Sequence, residues 1–136
     1  MKKQLIHSVD ATNLGLLGSR GLRAECYRLG NFVYMTGQTG ITLDGRFDTA
    51  GDPAGQARQA CENIRTLMEM AGGSMSDVVK LTVYVTDLKH REAAYPVIRT
   101  FFEGNVRPCQ TGIVAGLARE DLLIEIDAWG FIDDPD

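Results

Sequence analysis

Between Ala54 and Asp87 the spacing of apolar residues changes from a helical to an extended period. Ala57, Cys61, Ile64, Met68 and Ala71 recur at alternating steps of four and three, which lines one face of a helix of about five turns. Asp52 can cap its first turn. Pro53 suits the first helical position, where its missing N–H would be unsatisfied anyway, and Gly72-Gly73 supplies a left-handed stop. After the polar turn Ser74 to Ser76 the period falls to two. In VVKLTVYVTD, Val79, Leu81, Val83 and Val85 are expected on a dry face against the helix, while Lys80, Thr82, Tyr84 and Thr86 form a mixed face that something else must cover.

The same reading assigns strands to Lys3 to Val9, Ala24 to Arg28 and Phe32 to Thr36, the last two joined as a hairpin at Gly30-Asn31. Asp10 to Gly21 is a glycine-rich loop, and Leu43 to Arg46 a turn. Lys89 to Glu103 is expected as a second helix with Ala94, Ile98, Phe101 and Phe102 on its apolar side. Pro96 predicts either a kink or a start nearer Ala94. Thr111 to Leu117 and Leu122 to Phe131 complete the strands around a polar turn at Ala118 to Asp121, and the acidic tail from Asp133 is expected to be solvated. The order of elements predicts one domain with both helices on one face of a mixed sheet.

A chain of 136 residues with 44% hydrophobic and 24% charged residues can bury a core without staples. Its net charge of −4 offers no basic field to nucleic acid or anionic lipid, and no window approaches membrane-span length. Cys26, Cys61 and Cys109 are odd in number and form no C-x-x-C pair, so neither a disulfide framework nor a zinc site is expected; the reading is a cytoplasmic protein. His7 and His90 match no metal spacing, and the glycine-rich loops lack the phosphate-cradling patterns, so no metal or cofactor is assigned.

Candidate chemistry centres on IEIDA. Ile124 and Ile126 alternate with Glu125 and Asp127, so both carboxylates leave one face of a strand. That is either an ordinary solvated sheet face or a general acid or base in a cleft shared with another subunit. Cys109 is a lone thiol that reads as a small buried or half-buried residue or, less simply, as a nucleophile.

FVYMTGQTG at 32–40, QARQACENIRTLMEMAG at 56–72, DVVKLTVYVTDL at 77–88, FFEGNVRP at 101–108 and LLIEIDA at 122–128 together resemble the Rid family. These are the reactive intermediate deaminases, also called YjgF-like or L-PSP endoribonuclease-like proteins. The resemblance spans nearly the whole chain in the right order. It implies a chorismate-mutase-like α+β fold and a homotrimer whose three sheets form a central barrel, with ligand sites in clefts between subunits. It also implies cofactor-free hydrolysis of small imines and enamines, especially 2-imino acids. A trimer that binds a metabolite without turnover is the alternative, and a ribonuclease role fits the acidic chain least.

Carried over to this chain, Glu125 matches the water-positioning carboxylate, Gly37 a backbone lining of the site, and Cys109, Gln110, Thr111 and Gly112 the ligand-contacting segment. Two positions depart. Gln110 stands where the imine hydrolases carry an arginine that grips the substrate carboxylate, and Arg107 is a neighbouring substitute. Arg23 stands where the family has a site tyrosine, with Tyr27 close by. An amide in place of a guanidinium fork implies weaker binding of 2-imino acids.

Overall fold

The computed structural model describes residues 2–16, 20–104 and 106–133. The stripe at steps of four and three folds as helix α1 (Pro53–Met70), with Ala57, Cys61, Ile64 and Met68 fully buried. Asp52 accepts a hydrogen bond from the Gly55 N–H at 2.9 Å to cap it. Gly72, at φ +96°, reverses the chain after it, and the Gly73 N–H closes onto the Met68 carbonyl at 2.9 Å.

Six strands form one mixed sheet: β1 (Lys3–Asp10), β2 (Leu22–Leu29), β3 (Phe32–Met35), β4 (Val78–Val85), β5 (Cys109–Val114) and β6 (Ile124–Phe131), in the order β1-β2-β3-β6-β4-β5. Neighbours are antiparallel except β4 and β5, the parallel pair that needs a crossover helix between its strands. That helix is α2 (Arg91–Thr100), entered through a 3-10 turn at Leu88–His90. It begins upstream of Ala94 and carries Pro96 inside it, so the expectation of a start near Ala94 does not hold. Strand β5 runs from Cys109 rather than Thr111 and stops at Val114, short of the expected Leu117. The solvated tail was expected over 133–136, of which 134–136 lie outside the described residues.

One face of the sheet carries Val33, Leu81, Val83, Val85, Ile124, Ile126 and Ala128, all packed with the apolar sides of α1 and α2 in a single buried cluster. Close fit is visible at two glycines. A Cβ on Gly130 would stand 2.6 Å from Met68 Cε of α1, and one on Gly112 would collide with Tyr95 Oη of α2. The start of β4 corrects the expected alternation. Val78 is 5% exposed and Val79 48%, because the register with β6 slips between Val78 and Lys80. The bulge takes up Val79, so Val78 enters the core in its place.

The other face is open. Phe32, Tyr34, Trp129 and Phe131 form a tilted and edge-on aromatic group there, each between 36% and 54% exposed. Buried polar side chains stitch the loops to the core. Gln56 is fully buried and satisfied, donating to the Thr49 and Asp121 carbonyls at 3.1 Å each and accepting from the Leu123 N–H at 2.7 Å.

Candidate functional site

Strand β6 places Glu125 and Asp127 on the open face because Ile124 and Ile126 are drawn, fully buried, to the other. Beyond Met35 the chain leaves β3, then Gln38 pairs again with Ile126 through two 2.8 Å backbone bonds. This second pairing presses Gly37 onto the carboxylates. A Cβ there would lie 2.6 Å from Glu125 Oε2 and 2.7 Å from Asp127 Oδ1, so the approach depends on the missing side chain.

Behind Gly37 runs a chain of polar contacts. Gln38, 4% exposed, donates through Nε2 to Glu25 Oε2 at 2.9 Å and to the Thr36 carbonyl at 2.9 Å. Glu25, 6% exposed, accepts from Arg23 Nη2 at 3.1 Å on its other oxygen. Arg23 Nε is buried without a partner. These groups, with Glu125, line a cavity of about 630 Å³ whose outer wall is Ser8 to Asp10, Leu14, Leu16 and the turn Ile41 to Gly45. Arg119 fastens this rim. It donates to the Leu14 carbonyl at 3.0 Å, pairs with Asp121 at 2.6 Å and lies 5.2 Å from the Phe47 ring centroid.

Electrostatics single out Glu125. Burial raises its pKa above the ordinary glutamate value and Asp127 raises it further, while the Arg23 guanidinium pulls it down. Burial also raises Asp127, with the Tyr84 hydroxyl, 3.4 Å away, acting in the opposite sense. A carboxylate whose proton affinity is lifted this way can accept a proton from water and return it to a leaving nitrogen. Among the described residues no three His, Cys, Asp or Glu side chains converge as a metal site.

The fold brings together Glu125, Gly37 and Arg23 among the residues expected from the sequence. It does not bring the others to them within one chain. Cys109, Gln110, Thr111 and Gly112 lie on β5, an edge strand separated from β6 by β4, and Gln110 pairs with Leu81 on the side of the sheet that faces the helices. Arg107 is exposed in the loop before β5, and Tyr27 stands beside Tyr34, under the Lys3 ammonium at 4.9 Å. Glu25 and Gln38 escaped sequence reading. The β2–β3 hairpin and the bridge from Gln38 to Ile126 of β6 bring them together, and neither leaves a mark in the local sequence.

Comparison with known proteins agrees with this architecture. The family model described as endoribonuclease L-PSP matches residues 23–132. A RutC family protein of Pyrococcus abyssi is 32% identical over 108 residues, covering 79% of this chain and 84% of the relative. The YjgF gene product of E. coli superposes with a TM-score of 0.74 at 27% identity, covering 91% of this chain and 98% of that one. E. coli TdcF, solved with bound serine, gives 0.76 at 26% identity, covering 89% and 96%. A family model spanning four-fifths of the sequence, a curated relative above 30% identity and a shared sheet-and-helix architecture agree: the chain belongs to the Rid/YjgF family of endoribonuclease L-PSP proteins.

Proposed function

We propose that this protein hydrolyses a small imine, enamine or related C–N metabolite, with Glu125 positioning and deprotonating the attacking water. The observation that carries this reading is a half-buried carboxylate of raised proton affinity on a cavity of about 630 Å³, backed by a glycine whose missing side chain lets the backbone come close to that carboxylate. In the reaction Glu125 takes a proton from water as its oxygen bonds to the imine carbon, and the C=N π electrons move to nitrogen. Glu125 passes that proton to nitrogen, then takes the carbinol proton and delivers it to the amine, so that the C–N bond breaks, the carbonyl forms, ammonia leaves and Glu125 returns to the carboxylate. No step in this scheme calls on a cofactor. The family resemblance supports a homotrimer, with Gln110 and its β5 neighbours reaching the cavity of an adjacent subunit. The exposed aromatic group on the open sheet face gives such an assembly a surface to bury.

Ammonia release from imines generated in situ tests the reading. Glu125→Ala is expected to lower turnover by about 10²–10⁴-fold, with an unchanged oligomer in size-exclusion chromatography. Full turnover in that variant would return Glu125 to the role of a solvated strand carboxylate. A second reading, metabolite binding without turnover, is favoured by Gln110 in place of the family arginine and by the serine found in TdcF. Ligand-induced thermal stabilisation with no ammonia release would support it.

A further inference from the structure

The charges around the cavity determine what it can accept. Asp10, Glu25, Asp44 and Glu125 line it, against Arg23 as the one basic side chain among the described lining residues. Asp44 is offset at the rim by Arg46, 3.4 Å away. Within one chain, Arg23 is the only cationic side chain among the described lining residues, and it is already paired. Its Nη2 is held by Glu25 at 3.1 Å, its Nε is closed off from solvent, and Gln38 fixes the far oxygen of the same carboxylate at 2.9 Å. An incoming carboxylate would therefore compete with a buried, doubly anchored Glu25 for a guanidinium already paired with it, while also facing the Glu125 carboxylate.

We infer that Glu25 is the specificity-determining residue of this site, and that by occupying Arg23 it makes the cavity select a small ligand with a positive nitrogen centre and no net negative charge, such as an iminium, amidinium or ammonium compound. This inference rests on the cavity being the ligand site, as proposed above. It reverses the preference that a free arginine in the same place would give: the guanidinium's charge is matched by Glu25, and Glu125 faces the cationic end of the ligand.

Three probes of nearly the same shape and different charge test it: acetamidinium, acetamide and acetate, titrated into the full-length protein at pH 7 with binding followed by NMR. Acetamidinium is expected to bind at least about tenfold more tightly than acetate, with acetamide between. Glu25→Gln, which keeps a donor and acceptor for Gln38 and releases Arg23, is expected to narrow that ratio by about tenfold, mainly through stronger acetate binding. Glu125→Gln serves as the site marker and is expected to weaken acetamidinium selectively. Acetate binding as tightly as acetamidinium in the unaltered protein, with Glu125→Gln still perturbing the probes, would overturn this inference alone. Probe binding indifferent to Glu125→Gln would overturn both this inference and the cavity as ligand site. A ratio left unchanged in Glu25→Gln would overturn the assignment to Glu25, and acetate bound as tightly as acetamidinium by the unaltered protein would overturn it even if that variant folds poorly.

Discussion

At the scale of single residues, Glu125 couples the site to pH. Its ordinary value is raised by burial and by Asp127, so the acid limb of kcat/KM is expected above the usual glutamate range. Asp127→Asn removes a neighbouring negative charge and should move that limb to lower pH. Arg23→Gln removes the opposing positive charge and should move it higher. Initial rates across pH on any confirmed substrate check both directions. Limbs unmoved by either variant would mean that another group governs the profile. The same shift has a stability consequence of fixed sign. A carboxylate whose folded pKa is raised opposes folding when ionised, so its contribution improves as pH falls through the folded value. Glu125→Gln is therefore expected to melt no lower than the unaltered protein at pH 7, a trade of stability for reactivity that differential scanning calorimetry would reveal.

At the scale of elements, the strand β4 shows how far pattern reading reaches. Leu81, Val83 and Val85 fall on the dry face as their alternation requires, but Val79 does not, because a bulge against β6 depends on the partner strand and leaves no local mark. This separates two substitutions that sequence alone treats alike. Val83→Asp buries an unpaired charge at a fully enclosed position and is expected to abolish soluble folded protein, whereas Val79→Asp, at 48% exposure, should cost less than about 1 kcal/mol in urea unfolding of an isolated chain. Equal damage from both would mean that Val79 is covered. Helix α1 was legible in full because its stripe, its aspartate cap and its glycine stop lie in one continuous segment. Of the two alternatives that Pro96 left open, the later start near Ala94 fails because the packing of Ala94 and Ile98 against the core outweighs one lost backbone donor. Glu125 was legible from alternation, but the contact between Glu25 and Gln38 was not, since thirteen positions and a hairpin separate them.

At the scale of the whole molecule, the open face remains. Four aromatic side chains clustered on one sheet surface form the kind of patch that soluble proteins cover by association. Sedimentation at low micromolar concentration is expected to give a trimer, and Trp129→Asp to shift it toward monomer with a lower melting temperature. A monodisperse monomer in the unaltered protein would remove the intersubunit cleft from the mechanism.

The three cysteines differ in a way that bears on the same edge of the sheet. Cys26 and Cys61 are buried, their thiols pushed up to about 11 and about 12, chiefly by burial, whereas Cys109 is exposed at the start of β5. Thiolate, not thiol, reacts with alkylating reagents, so the native chain presents one addressable sulfur. It lies on the strand that has no antiparallel neighbour within the chain. A fluorophore attached there, with no cysteine engineered in or out, would sense directly whatever comes to lie against that edge.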